Sequence, residues 1–519
     1  MAADEYKMIT ERVGLPGAVA LLVGTALGMS IFVVPTQTAA EAGPSIALAI
    51  LASVPPMILG VLLLLQLGGA IPVAGGIYVY ASRLVGPFWG LIGVAIPVIA
   101  VGCYLVFAAL GFSRYLIGAF MSPSLIDGAL EGTAIVAQTT GDPTVFAELL
   151  LTVLAGWFVL SLFIALNYVG IQLVTKVQIG MVLVLIAGML VFIIGGAFAF
   201  DPQNLTPMFP SGAGEPFENG ITPFIAAVVL LYIPFQGFSM IIEIGEDLKD
   251  PIKNIPRVLA IGMGIVTVLS VALVVVLVGT TPWQDTFVIE NGVPVPVEAG
   301  LAADSVGGAF LPSWAVAFIA LAAILAAATT INTLLTSYSR TIMRAARDDV
   351  VPKALAEVHD RFNTPHRAIL VLGVPALIVV PFAVAIDHMI AREVLDWLVV
   401  VVVTGIFIAF MIGGVALWQL PKEFPVRYEH SFYKLPMPVL KVVAVGNFVA
   451  SFVFTLFVAT TAPSALVFVL ICMVATAVIH HVRIKRYERQ GIDLRRKMSL
   501  LDKHEKVGES TEDLEYLGE

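Results

Sequence analysis

The chain has 519 residues, of which 59% are apolar and only 13% are charged. Soluble domains carry about 25% charged residues, so this composition argues against a water-soluble fold. The 28 basic and 37 acidic residues leave a formal charge of −9, yet nearly all of them fall between long apolar runs rather than inside them.

From Met1 to Glu11 the chain is polar and mixed in charge, without the basic start and short apolar core of a signal peptide. Apolar runs follow. A spanning helix needs about 20 apolar residues to cross roughly 30 Å of hydrocarbon. Twelve runs meet that requirement, centred in 15–40, 46–70, 88–118, 147–167, 176–200, 222–243, 256–280, 314–340, 367–386, 393–418, 436–458 and 462–484. The expectation is an all-α integral membrane protein with twelve transmembrane helices and no separate soluble domain. Cys103 and Cys472 both fall inside runs, where they read as small packing residues. The seven histidines show no metal-ligand spacing.

Lysine and arginine set the expected orientation. With a cytoplasmic N-terminus, all of the 28 basic residues except Arg114 and Arg392 fall on the inner side. The inner groups are Arg83; Lys176; Lys249, Lys253 and Arg257; Arg340, Arg344, Arg347, Lys353, Arg361 and Arg367; Lys422, Arg427, Lys434 and Lys441; and the tail from Arg483 to Lys506. Outer loops 119–146, 201–221 and 281–313 contain neither residue. This is the asymmetry of the positive-inside rule, and it places both termini in the cytoplasm of a multi-pass plasma-membrane protein. The tail ends acidic (Glu509, Glu512, Asp513, Glu515, Glu519) and reads as a stop-transfer anchor followed by a solvated segment.

Two runs break their own rule. Residues 23–35 (VGTALGMSIFVVP) and 231–239 (LYIPFQGFS) place glycine, proline and polar residues near mid-membrane. They open two successive five-helix blocks, and paired interruptions of this kind point to a transporter built from inverted repeats. The resulting organisation is a cytoplasmic N-terminus (1–14), a first five-helix repeat (15–200), a second (222–418), helices 11 and 12 (436–484) and a cytoplasmic tail (485–519). Interrupting helices 1 and 6 frees N–H groups near Met29 to Ile31 and carbonyls near Ile233 to Gln236. The first suit an anion and the second a cation, so together they suit a zwitterion. A kink or close helix packing at small residues is the plain alternative.

Four segments carry a resemblance: Gly24 to Pro35; Pro72 to Tyr80 (PVAGGIYVY) running into Gly86 to Gly90; Phe235 to Phe238 followed by Gly245 to Pro251 and Asn254 to Arg257; and Asn332 to Arg340 followed by Arg344 to Asp349, Pro352 and Asn363 to Pro365. On them the chain resembles the amino acid–polyamine–organocation (APC) superfamily, in particular its amino acid permeases, over nearly all of spans one to ten. The resemblance implies that the substrate carboxylate meets Gly28, Met29 and Ser30, and that the amino group meets carbonyls of Ile233 and Gln236. Phe235 and Phe238 line or gate the pocket, with Thr25 and Gly237 completing the set. Two departures stand out: Gly28-Met29-Ser30 replaces Gly-Ser-Gly, and Ser239 replaces a glutamate common in the family.

Span eight adds a carbonyl at Ala326 and hydroxyls at Thr329 and Thr330, three oxygens on one helical face. In sodium-coupled transporters of this fold such a trio meets two carbonyls from the first break, here Gly24 and Leu27. The implied coupling ion is Na⁺; the alternative is that the threonines bond back to their own helix. Proton-linked relatives can carry a lysine in helix five where this chain has Leu185. No other cofactor is expected.

Glu243 reads first as an interfacial salt-bridge partner and second as a proton carrier. Arg340, Arg344 and Arg347 are expected to anchor helix eight and brace the inner gate. No acidic residue sits at mid-membrane in spans one, three or six, which favours a neutral amino acid. No nucleotide-binding loop and no cluster of nucleophile, base and metal ligands occurs, which argues against a pump or an enzyme. The alternatives are an uncoupled, proton-linked or exchange-type amino acid or polyamine permease and, from a different class, a non-transporting nutrient sensor on a transporter scaffold. The partners implied are a small solute and the bilayer, with no nucleic acid.

Overall fold

The computed structural model describes residues 12–120, 143–209, 221–290, 293–296, 306–389, 393–489 and 498. Arg392, outer-loop residues 121–142, 210–220, 291–292 and 297–305, Met1 to Glu11 and the acidic tail lie outside the described residues.

The described chain is helical apart from one small hairpin. In order it forms α1 (Leu15–Leu27), α2 (Ser30–Ala42), α3 (Ile46–Ala70), α4 (Gly76–Tyr80) and α5 (Pro87–Phe120). Then come α6 (Pro143–Val169), α7 (Ile171–Phe198), α8 (Ile221–Leu230), a 3₁₀ segment Ile233–Ser239, α9 (Met240–Glu243) and α10 (Pro251–Thr280). Strands β1 (Phe287–Glu290) and β2 (Val293–Pro296) pair antiparallel with Phe287 opposite Pro296. The chain continues as α11 (Ser313–Arg347), α12 (His366–Met389), α13 (Glu393–Glu423), α14 (Pro425–Glu429), α15 (Met437–Thr461) and α16 (Pro463–Glu488). Nothing in the sequence reading anticipated the hairpin, although Asn291-Gly292 between two β-prone runs is a hairpin signal.

Among the described residues eleven segments are long and apolar enough to cross a membrane. The first of them, Leu15–Ala70, is 56 residues long and contains α1, α2 and α3. The outward faces match a hydrocarbon solvent. Phe382 on α12, Val442 on α15 and Ile471 on α16 are 63%, 66% and 61% exposed. In water such a surface would be a liability; against lipid tails it is the required one.

At the centre stands α11. From Ala326 to Arg347 every side chain is buried, the pattern of a helix enclosed on all sides. Between helices in lipid the hydrophobic effect contributes little, so close contact of small residues carries the packing. Ala322 of α11 lies so near Gly188 of α7 that a Cβ built there would be 2.3 Å away. Against this core lean α5, α7 and α1.

The arginines collect at one end of the bundle. Arg340 bonds Asp247 (2.8 Å), Arg347 bonds Glu246 (3.0 Å), and Arg83 bonds Asp348 (2.8 Å). Tyr78 donates its hydroxyl to Asp348 at 2.5 Å. These side chains are buried or nearly so, and Arg340, Arg344 and Arg347, expected to anchor this helix and brace an inner gate, form a network of ion pairs. Burial pushes the Glu246 and Asp348 carboxyls up, but the neighbouring guanidinium groups of Arg347, Arg344 and Arg83 outweigh it and hold both below the usual carboxylate range. Toward the opposite end, Arg114 of α5 pairs with Asp387 of α12.

Candidate functional site

The first break is a two-residue event. The helix runs to Leu27, and Gly28 still donates its N–H to Gly24 O at 3.1 Å. Gly28 then takes φ +23° and ψ −160°, which reverses the carbonyl direction and stops α1. A residue with Cβ is strained there, which is why the sequence needs glycine. Helix α2 restarts at Ser30. The first N–H groups of a helix have no partner within that helix.

The second break has a different cause. Pro234 lacks an N–H, and α8 ends at Leu230. The chain tightens into 3₁₀ geometry over Ile233–Ser239 before α9 begins. Phe235 and Phe238 are fully buried there. Phe238 packs on Phe410 of α13 with ring centroids 5.4 Å apart. Ser239, where a glutamate was expected from the resemblance, donates to Gln236 O at 3.2 Å.

The two breaks abut. A Cβ built on Gly237 would lie 2.2 Å from the Ala26 backbone nitrogen and 2.7 Å from the Thr25 carbonyl carbon. Thr25 turns its hydroxyl back to Leu21 O (2.9 Å), so its side chain is occupied within its own helix. Met29 reaches α5, lying against Gly111 where a Cβ would collide with its sulfur. Its bulk is therefore accommodated by a glycine on another helix.

One polar group at this junction is conspicuous. Gln236 is 3% exposed, and neither its Nε2 nor its Oε1 has a hydrogen-bond partner. A buried amide left without partners costs about 1–3 kcal/mol per unmade bond. The sequence reading used only the carbonyl of this residue.

Two of the hydroxyls expected around a coupling ion hydrogen-bond directly to carbonyls of the same set. Thr329 Oγ1 lies 2.8 Å from Gly24 O and 2.7 Å from Ala326 O. Thr330 Oγ1 reaches Ala326 O at 3.1 Å, and a Cβ on Gly28 would sit 2.5 Å from that hydroxyl. Both threonines thus bond back to their own helix, as the alternative reading held, while one of them also meets the first break. Four of the five atoms are neighbours across α1 and α11; Leu27 precedes Gly28 in the chain. Neutral carbonyl and hydroxyl oxygens fit a monovalent cation, which needs no carboxylate in its shell. Leu185 is buried in α7.

Sequence reasoning missed the polar chain beside this cluster. Thr336 donates to Asn167 Oδ1 (2.6 Å), Asn167 to Asn332 Oδ1 (3.0 Å), Asn332 to Gln178 Oε1 (2.8 Å) and Gln178 to Thr333 Oγ1 (3.1 Å). All five side chains are buried, and they tie α6, α7 and α11 together. Three amides inside apolar spans were the available signal; which of them face one another is a tertiary fact.

Glu243 is a correction. It was expected to form a salt bridge, but Glu246 and Asp247 take the arginines. Glu243 instead bonds the Thr341 hydroxyl.

Residues 13–487 match the amino acid permease family. The chain is similar to a branched-chain amino acid permease of Bacillus subtilis, 25% identical over 427 residues that cover 82% of this chain and 84% of the relative. It is also similar to a methylthioribose transporter of the same organism, 27% identical over 430 residues covering 82% and 84%. A human large neutral amino acids transporter small subunit 2 is 25% identical over 387 residues, covering 71% of this chain and 64% of the relative. The match spans both breaks and the arginine network alike, and the chain belongs to the amino acid permease family of the APC superfamily, as a multi-pass membrane transporter and not an enzyme.

Proposed function

We infer that this permease is a secondary active transporter that takes up a neutral amino acid by alternating access, with Na⁺ as coupling ion. The observation that carries the reading is the unpartnered Gln236 amide at the point where two helix breaks meet. Such a group is stabilised when a polar guest supplies the missing bonds. N–H groups of Met29 to Ile31 hold the carboxylate, and carbonyls of Ile233 and Gln236 hold the ammonium. Gly28, Thr25 and Gly237 keep the backbones close enough for both, and Phe235 and Phe238 wall the apolar side. The branched-chain and large neutral amino acids in two relatives' names support a neutral substrate.

The architecture belongs to the same reading. A segment of 56 residues from Leu15 to Ala70 suffices for two crossings at about 20 residues each, making twelve in all. Ten of these form two inverted five-helix repeats, 15–200 and 222–418. Helices 11 and 12 (436–484) follow, and the termini, 1–14 and 485–519, lie in the cytoplasm below a plasma membrane. The Arg-rich end is then the inner end.

Gly24, Leu27, Ala326, Thr329 and Thr330 supply the Na⁺ oxygens, and the ion draws α1 onto α11 when bound. Thr330→Ala is expected to raise the Na⁺ concentration for half-maximal uptake about tenfold, the loss of about 1.4 kcal/mol for one ligand. The melting temperature without Na⁺ should change little. Uptake into liposomes that proceeds equally well with choline replacing Na⁺ ends the coupling claim. Gln236→Leu is expected to weaken substrate affinity about tenfold, one hydrogen bond's worth, measured by substrate-induced thermal shift. Counterflow in proteoliposomes separates a carrier from a sensor, because a sensor binds without exchanging.

A further inference from the structure

At the Arg-rich end the turn before α4 closes over one carboxylate. Gly75 donates its N–H to the Glu243 carbonyl at 3.3 Å, and a Cβ on Gly76 would lie 2.4 Å from Glu243 Oε1. Thr341 of α11 supplies a hydroxyl to Oε2. The side chain is 2% exposed.

What sets this acid apart is its lack of a cation. Among the described residues no lysine or arginine forms an ion pair with Glu243. Its neighbours are all provided for: Asp247 has Arg340, Glu246 has Arg347 and Arg344, and Asp348 has Arg83 and Arg344. Four arginines therefore stand over three paired acids, and Glu243 is the fourth acid, held at the Thr341 hydroxyl and the Ile77 backbone N–H instead. The other titratable groups that feel its charge are the phenols of Tyr80 on α4 and Tyr338 on α11. Helix α1 carries no titratable side chain, and Lys253 and Arg257 of α10 are exposed on its outer side.

We propose that Glu243 is a proton-binding site that controls closure of this end of the permease. Three elements meet at its carboxyl: α9 from the second break, the Gly75–Gly76 turn and α11. When the end is closed, as here, an ionised carboxylate would be stripped of water with no counter-charge, which disfavours the charged form. Closure therefore binds one proton from water on this face, forming the carboxyl O–H. When the ion-pair cluster parts, water re-enters, that O–H bond breaks and the proton returns to the same face. No oxidant, cofactor or second ion is needed. The proposal rests on alternating access at this end, but not on Na⁺.

The test is counterflow in proteoliposomes at equal pH on both sides, run once in Na⁺ and once in choline. Wild-type exchange should slow as pH rises, approaching about tenfold per pH unit for one proton. Glu243→Gln, which cannot ionise, should keep the low-pH rate throughout. Thr341→Val leaves the acid but removes its hydroxyl donor, so its profile should move to higher pH. Infrared difference spectra of wild-type protein should show a protonated carboxyl band that disappears with rising pH and is missing from Glu243→Gln. Should that variant fail to fold, the Thr341→Val shift and the wild-type band decide. A pH-independent wild type, or a Glu243→Gln variant with the wild-type profile, overturns the proposal. Absence of counterflow at every pH in both salts would instead count against transport itself.

Discussion

Gly237→Val is expected to reduce transport at least a hundredfold, the largest single loss at the site. A Cβ at this position meets the backbone of Ala26 at 2.2 Å, and backbone in a packed helix cannot swing aside as a side-chain tip can. The two breaks must therefore separate by about 1 Å, from 2.2 Å to the 3.4 Å at which ordinary contact begins. That displaces the N–H groups and the carbonyls proposed to grip opposite ends of one small guest, and misplacement by about 1 Å can cost a hundredfold in rate. Overpacking also costs about 1–3 kcal/mol of stability, so a lower melting temperature accompanies the loss. Gly237→Ala should fall between, and Gly102→Val, at a glycine of α5 with open space around it, serves as the control. Near-normal uptake by Gly237→Val would mean that the breaks do not meet in the working protein.

Asp247→Ala carries the largest expected cost in stability. Arg340 is 1% exposed, and its Nε bonds Asp247 at 2.8 Å while Nη1 bonds Thr336 O at 2.9 Å. Removing the acid leaves a buried guanidinium without its counter-charge, a change worth about 3–5 kcal/mol when one partner of a buried pair is deleted. The double replacement Asp247→Leu with Arg340→Met should recover much of that stability, because the desolvated charge goes with its partner. It should not recover gating, since the pair joins the loop after the second break to α11. Thermal unfolding in detergent, with uptake measured in parallel, separates the two effects. A double variant no more stable than Asp247→Ala would show that the pair is not the reason for the loss.

Both sites were partly visible before any coordinates. Gly28 and Pro234 are local instructions: one permits a backbone that others resist, and the other removes a donor, so the positions of the breaks follow from residue type alone. Asp247 and Arg340 were visible as charges at the inner ends of apolar runs. Their pairing was not, because the residues lie 93 positions apart. The same limit explains Glu243. Three acids within five residues look interchangeable in the sequence, and only the packing of α11 decides which two meet arginines.

Gln236 shows the limit most clearly. In the sequence it is a polar residue beside a proline; in the fold its amide is enclosed at the meeting of two helices and left without a partner. What the sequence by itself determined was the solvent, the number and spacing of apolar runs, and the two points of interruption. All of these depend on composition within about 20 consecutive residues, the thickness of a bilayer. The tertiary structure alone decided which face of each helix is turned inward, that the breaks touch at Gly237, and which charges find partners. Those outcomes depend on distances between residues far apart in the chain, and a helix's rotation and depth in a bundle are set by its neighbours' shapes.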